Sequence, residues 1–249
     1  MRLSKTLLAG AFAAVLLTSA CSSGSGSGSD SGSGSGTDSV LGSGSGTSSA
    51  APAPDGGAAL PVAVTGPVPD VYLRNSTSGD ALKVTPAPDR SAPLVEKVEF
   101  ALREDLLAQA HTPGETTAKC PDGITQQAGA VSHCVAAFEG AEVPYEVKIS
   151  DSYKEGSMII SYTKTPKKGL LVAKTVQAQL YEQYGPESGY TGAGKLACQE
   201  MPVAKAYDFK TDTGFTCQFW SEHAADGKPG YTTLKVEMNS RNTDFQTVR

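Results

Sequence analysis

Apolar residues recur at helical spacing in two stretches of the chain, one near residue 94 and one near residue 172. In the first stretch the apolar stripe consists of Leu94, Val98, Ala101 or Leu102, and Leu106. In the second stretch it consists of Val172, Val176, Leu180 and Tyr184. A period of about 3.6 residues gathers such positions on one side of a helix. The pattern predicts two amphipathic helices, the first capped near Ser91 and the second ended by Gly185.

Apolar residues at alternate positions follow each helix. This alternation runs through residues 142–150 and 157–163 after the first helix and through residues 231–238 after the second. Successive side chains of a β-strand point to opposite faces of a sheet, so alternation is typical of strands with one buried face. We therefore expect an α+β fold in which a helix covers one face of an antiparallel meander.

The order of features is the same in the two stretches: a helix, a loop, a cysteine, a second cysteine and alternating strands. The cysteines are Cys120 and Cys134 in the first stretch and Cys198 and Cys217 in the second. Such self-similarity indicates repeated units. We predict two tandem units, residues 93–168 (the first unit) and residues 169–249 (the second unit). Each should consist of an N-terminal amphipathic helix packed on an antiparallel β-meander with one disulfide inside the unit.

The first twenty residues have the composition of an export signal. A basic start is followed by an apolar run from about Leu7 to Leu17 and by small residues before Cys21. The run covers about a dozen residues, whereas a bilayer-spanning helix needs about 20. The segment resembles a bacterial lipoprotein signal, which implies removal of residues 1–20 and a diacylglyceryl group on the Cys21 thiol. The alternative is an ordinary secretory signal cut near Ala20, with Cys21 incidental.

The chain after Cys21 is poor in apolar residues. Residues 22–49 are almost wholly Gly, Ser and Thr, and from Ala50 to about Ala92 the chain turns to Ala and Pro. Such stretches have too little apolar surface to offset the entropy of ordering. We therefore predict a long disordered linker over residues 21–92.

Cysteine parity agrees with a lipid anchor at Cys21. The chain has five cysteines, and an unpaired thiol in an exported chain needs an explanation. If Cys21 carries lipid, the other four can pair, and the repeat favours Cys120–Cys134 and Cys198–Cys217 among three connectivities. Each bridge should stabilise its unit by roughly 3 kcal/mol. The alternative is a catalytic thiol at Cys134, beside His133, although a structural pair is the expected state in an exported chain.

The first unit resembles a known family. The motif consists of Cys120-Pro121-Asp122, Gly129 and Cys134, followed by paired strands around a glycine turn. It resembles the small cysteine-pair domain of unknown function of actinobacterial lipoproteins and membrane-anchored secreted proteins, over residues 94–165. The second unit keeps the helix, Cys198, Gly214 and Cys217 but lacks the Pro-Asp pair. The resemblance implies an envelope-anchored module with no established chemistry.

Charge and motifs argue against several function classes. The chain has 21 Lys and Arg against 26 Asp and Glu, a net charge of −5, so it lacks the basic face that nucleic acid requires. The stretch GYTGAGKL at residues 189–196 is nearly a phosphate-binding loop, but Leu196 stands where that loop needs Ser or Thr. The 3 histidines are scattered, and no metal-ligand or nucleophile motif appears. We expect no catalytic residue, metal, cofactor, nucleotide or nucleic acid.

Trp220 is the candidate contact residue. Alternation in FTCQFWSEH puts Cys217 and Phe219 on one face of a strand and Trp220 on the other. An exposed tryptophan on a sheet often marks contact with a partner. The alternative is that Trp220 packs between the two units.

These features predict a non-enzymatic lipoprotein held by its N-terminal lipid on the outer face of the cell membrane. Its two units would bind an envelope protein or a wall polymer. The alternative is a carrier of a small apolar molecule or lipid, in a cavity between helix and sheet.

Overall fold

The computed structural model describes residues 58–74, 78–189, 194–224 and 227–248. In chain order the elements are β1 (Val62–Val64), α1 (Leu94–Ala110), β2 (Thr116–Lys119), β3 (Val131–Phe138), β4 (Ala141–Ile149), β5 (Tyr162–Pro166), β6 (Gly169–Val172), α2 (Ala173–Tyr184), β7 (Gly194–Cys198), β8 (Ala204–Tyr207), β9 (Thr211–Ser221), β10 (Gly230–Met238) and β11 (Thr243–Thr247). Every strand pairing is antiparallel. The predicted α+β class with two disulfides is confirmed.

The first sheet has the strand order β2-β3-β4-β5, and α1 packs on one of its faces. The helix contributes Val98, Leu102 and Leu106, each 0% exposed, because helical spacing places them on one side. In β4 the buried residues alternate with less buried ones, so that Val143 and Tyr145 reach the same core. The alternation along 142–150 therefore predicted this strand and its buried face.

The second sheet has the order β1-β7-β9-β10-β11, and α2 covers one face. Its core joins Val176 and Leu180 of α2 to apolar residues of the strands. The strand residues are Val64, Leu196, Phe219, Leu234, Val236 and Met238. The alternation along 231–238 thus also predicted a strand with one buried face.

Strand β6 connects the two cores. It pairs with β8 in a separate two-stranded sheet, and all four of its residues are buried. Leu170 and Val172 belong to the core of the first unit, whereas Leu171 belongs to the core of the second. This division follows from the strand period of two residues, which sends successive side chains to opposite faces. The described residues all lie within one compact unit.

The predicted linker boundary at residue 92 is wrong. Val62–Val64 forms β1 and pairs with β7, and Val64 and Val84 are both buried. Between them, the Tyr72 N–H donates to the His111 carbonyl oxygen at 2.7 Å. Composition predicted a linker because only a few apolar residues are spread through this Ala- and Pro-rich segment. Val64 nevertheless packs in the core under α2, and Leu82 and Val84 pack in the core under α1.

The strand predicted over residues 157–163 is mostly a loop. Met158 is 100% exposed and Ile159 is 82% exposed, and β5 begins only at Tyr162. Tyr162 pairs with Ile149, the last residue of β4, so the preceding residues lie beyond the end of the pairing. The loop closes with a hydrogen bond from the Ser150 N–H to the Ser161 carbonyl oxygen at 2.9 Å. Alternation alone does not reveal where the partner strand ends.

The first helix begins at Leu94, the first residue of its predicted stripe, but the predicted cap at Ser91 and the predicted start of the second helix are wrong. Pro93 is the N-cap of α1 without a side-chain hydrogen bond, and Ser91 instead bonds to Asp89. Val172, the first residue of the predicted second stripe, is the N-cap of α2 in an extended conformation. Its backbone pairs with Ala204 in β8, and this long-range pairing replaces the first predicted helical turn.

Candidate recognition site

The four cysteines expected to pair do so inside the units. Cys120 bonds to Cys134 at 2.02 Å and Cys198 to Cys217 at 2.04 Å, so the predicted disulfides are confirmed. Cys134 is 2% exposed and has no free thiol, which makes the catalytic interpretation of that residue wrong. Cys21 lies outside the residues that the structure describes.

The second sheet brings together two residues that the sequence singled out separately. Lys195, from the near phosphate-binding loop, lies with its Nζ 5.0 Å from the ring centre of Trp220. Tyr231 is opposite Trp220 in the strand register, and the two rings meet edge to face with their centres 5.1 Å apart. Antiparallel order explains the meeting, because β7 begins, β9 ends and β10 begins at the same end of the sheet. We call Lys195, Trp220, Tyr231 and the pocket beside them the Lys195 site.

Trp220 points away from α2. Its neighbour Phe219 faces the helix and stacks on Tyr184 with ring centres 4.4 Å apart. Trp220 therefore lies on the other face, half-buried against residues of its own sheet. The interpretation that it fills the contact between the units is wrong, since β6 and β8 contribute to that contact instead.

The backbone at Lys195 is strained. Its φ is +46°, in the left-handed region that side chains other than glycine rarely adopt. Such a conformation costs an L-residue roughly 1–2 kcal/mol. The strand register also shifts between Gly194 and Ala197 opposite β9. Bulges of this kind redirect a side chain and are frequent beside functional sites. Here the irregular backbone accompanies the placement of the Lys195 ammonium over Trp220.

A pocket of about 390 Å³ adjoins this cluster. Most of its lining side chains are apolar, and none of the described lining residues is acidic. The apolar lining comes from Ala59, Ala63, Val64, Pro186, Leu196 and Ala197. The polar contributions include Lys195, Tyr181 and Tyr231. The volume falls in the range of about 300–1,000 Å³ that is typical of small-molecule sites.

Residues 59–65 contribute to the lining of this pocket. Gln218 lies on the same face as Trp220, is 3% exposed, and its Nε2 donates to the Ala58 carbonyl oxygen at 3.4 Å. β1 follows immediately and forms the edge of the sheet. The segment that composition assigned to a linker therefore builds one wall of the Lys195 site.

Comparison of this chain with family models, curated proteins and solved structures finds no match.

A buried polar network in the first unit was missed by the sequence analysis. The Tyr145 hydroxyl donates to Asp105 Oδ2 at 3.0 Å, and the Gln109 amide donates to the same oxygen at 3.1 Å. Lys164 Nζ lies 3.5 Å from the other Asp105 oxygen. Burial and then the Asp105 charge raise the pKa of Tyr145 well above its usual range, so the phenol stays protonated. The i, i+4 spacing of Asp105 and Gln109 on α1 was the available signal.

This network has the character of a structural contact. It ties α1 to β4 and β5, and Tyr145 is 1% exposed, so its hydroxyl is remote from solvent. The basic run at residues 164–168 is tied down in the same way, since Lys167 approaches Glu146 and Lys168 approaches Asp208. These lysines are balanced by acids of the same chain.

The described residues contain no cluster of three or more side chains able to hold a metal ion. Of the histidines, His111 ends α1 in a left-handed conformation, and its Nδ1 lies 3.0 Å from the Tyr72 carbonyl oxygen. No helix in the described ranges is both long and apolar enough to span a bilayer. The Lys195 site offers rings, methyl groups and one ammonium, which are groups suited to holding a ligand.

Proposed function

We propose that this protein is a non-enzymatic lipoprotein, anchored through Cys21 to the outer face of the cell membrane, that binds an envelope protein or a wall polymer. We also propose that its two units are copies of one cysteine-pair module. In support, α1-β2-β3-β4-β5 and α2-β7-β9-β10-β11 have the same order once β8 is set aside. In each unit a disulfide ties the second strand of the meander to the chain at or just after the end of the first.

The observation that carries the proposal is the position of Lys195 over Trp220. A cation on an aromatic face, beside a second aromatic ring, is a common composition for contact surfaces. The residue occupies a strained backbone conformation, and such strain is concentrated at functional positions. An anionic polymer or an acidic patch on a protein would complement this ammonium.

The test compares binding of the native, membrane-anchored protein and its variants to envelope components. Chemical cross-linking followed by pull-down detects protein partners, and co-sedimentation with isolated wall material detects polymer binding. We expect Trp220→Ala and Lys195→Ala each to reduce capture at least about tenfold. Lys235→Ala is the matched control. Lys235 lies on the same face of β10 as Tyr231, but its Nζ pairs with Asp212 at 3.2 Å.

Two results would refute the proposal. One is capture that is equal for the parent protein, Trp220→Ala and Lys195→Ala, provided that circular dichroism shows all three folded. The other is mass spectrometry that finds residue 21 without lipid in protein isolated from the native membrane, which would remove the anchor.

A second candidate function, carriage of a small apolar molecule, is favoured by the 390 Å³ pocket. The alternative interpretation of the sequence expects such a cavity between helix and sheet. The α1 side of the helix–sheet contact is instead occupied by Val98, Leu102 and Leu106, none of which is exposed. The pocket lies at the end of the second sheet, against β1 and the C-terminal end of α2.

A further inference from the structure

We infer that the pocket of the Lys195 site binds an anionic amphiphile, a molecule with one apolar chain and one carboxylate or phosphate group. This inference rests on the second candidate function for the place of binding and adds the class of ligand. It is independent of the lipid on Cys21 and of any macromolecular partner.

The pocket lining is suited to the apolar part of such a ligand. Val64 and Leu196 contribute from the paired strands β1 and β7, where they are opposite each other in register. Ala63 and Ala197 are paired in the same way and also line the pocket. Pro186 lines it from the chain that follows α2. A hydrocarbon chain in this space would be removed from water along much of its length.

The charge of the pocket selects the polar group of the ligand. Lys195 is the only charged residue among its described lining residues, in a protein whose net charge is −5. Lys195 makes no ion pair with any described residue, whereas Lys235 on the same sheet pairs with Asp212. The Tyr181 and Tyr231 residues add hydroxyl groups to the lining. A carboxylate or phosphate at Lys195 would gain charge-assisted hydrogen bonds.

A second cavity lies next to the pocket and has the opposite character. It measures about 630 Å³, and its lining includes Glu182 and Glu187. Arg74, also in its lining, lies 3.2 Å from Glu182. Two acids against one arginine leave this lining with a net negative charge, which disfavours an anionic group, so the anionic end of the ligand belongs at Lys195. Tyr181 lines both cavities.

The chain itself supplies the reporter for a binding experiment. Trp220 is the only tryptophan among the 249 residues. Its ring centre lies 5.0 Å from the Nζ of Lys195, which lines the pocket, so intrinsic tryptophan emission reports on the surroundings of Lys195. The titration uses the full-length chain with Cys21→Ser, so that no acyl group of its own competes. The probes are dodecanoate, dodecyl phosphate, dodecanol and dodecyltrimethylammonium, each kept below its critical micelle concentration. Folding of every variant is checked by circular dichroism.

We expect saturable changes in Trp220 emission with at least one of the two anions, and at least about tenfold weaker binding of dodecanol and of the cation. Saturation by both anions would show that the site recognises either anionic group. Saturation by dodecanoate alone would identify the ligand class as free fatty acids, and saturation by dodecyl phosphate alone would identify it as phosphate-bearing lipids. Shortening the chain by one CH₂ should weaken binding about fourfold.

Three variants locate the ligand. Lys195→Met, which keeps a long side chain at the same backbone conformation, should weaken anion binding about tenfold and leave dodecanol binding unchanged. Lys235→Met should leave every affinity unchanged. Ala63→Phe, at an exposed position of β1, should fill the pocket and weaken the binding of all the probes.

The inference is overturned if the cationic probe binds as tightly as the anions, if Lys235→Met acts like Lys195→Met, or if no probe gives a saturable change. In the last case, capture from the envelope that still depends on Trp220 would leave the proposed macromolecular function intact. Loss of both results would remove the proposed function together with this inference.

Discussion

The division of β6 between two cores leads to a quantitative prediction about Leu170. This residue is 3% exposed and packs in the core of the first unit, while the neighbouring Leu171 packs in the second. Truncation of a buried leucine to alanine removes the transfer free energy of its methyl groups and leaves a cavity. Leu170→Ala is therefore expected to lower the free energy of unfolding by about 2–5 kcal/mol.

Urea denaturation measures this loss, and Trp220 shows how far it spreads. With a denaturant slope of about 3 kcal/mol/M, the expected loss lowers the midpoint by about 0.7–1.7 M. Trp220 lies in the second sheet, outside the core that loses packing. Because β6 links the cores, its emission should report the same lowered midpoint as far-ultraviolet circular dichroism, which follows the whole fold.

The control is Val203→Ala, which truncates an aliphatic residue that is 66% exposed in the loop before β8. This substitution should change the free energy of unfolding by less than about 0.5 kcal/mol. If Leu170→Ala lowered the circular dichroism midpoint of the first unit but left the Trp220 transition in place, the two units would be independent. The argument from β6 would then be refuted.

Other features of the structure have equally direct consequences. Replacing both Cys198 and Cys217 by serine should lower the free energy of unfolding by about 3 kcal/mol, since the bridge spans a sequence separation of 19; a loss under about 1 kcal/mol in urea would contradict this. Lys195→Gly should be more stable than Lys195→Ala by about 1 kcal/mol, because both lose the ring contact and only glycine relieves the left-handed backbone; equal midpoints would show that the backbone is not strained. Tyr145→Phe removes the donor to Asp105 and should cost about 1–3 kcal/mol at neutral pH. Burial raises the pKa of Tyr145 above its ordinary 10.0, so above pH 10.0 the unfolded state releases the phenol proton before the folded state does. The parent protein should therefore lose about 1.4 kcal/mol more stability than Tyr145→Phe for each pH unit above 10.0. Thermal melts at alkaline pH that run parallel for parent and variant would disprove this prediction.

The sequence by itself determined those features that depend on neighbours along the chain. Helical and alternating periodicity predicted the two helices and the buried faces of β4 and β10, because the spacing of side chains within an element is local. The repeated order of helix and cysteines predicted both disulfides. Alternation along FTCQFWSEH predicted that Trp220 lies on the face opposite Phe219, because alternation along one strand is again a local property.

Tertiary structure decided everything that depends on register between distant segments. The strand β1 comes from a stretch with the composition of a linker, and pairing with β7 gives it a place in the sheet. The two cores share β6 although its last residue, Val172, belongs to the predicted helical stripe, because pairing with β8 keeps β6 extended. Lys195 and Trp220 are 25 positions apart in the sequence, and the antiparallel order of β7 and β9 makes them neighbours. A strand's pattern specifies which residues share a face, whereas hydrogen bonding between strands specifies which residues meet across it.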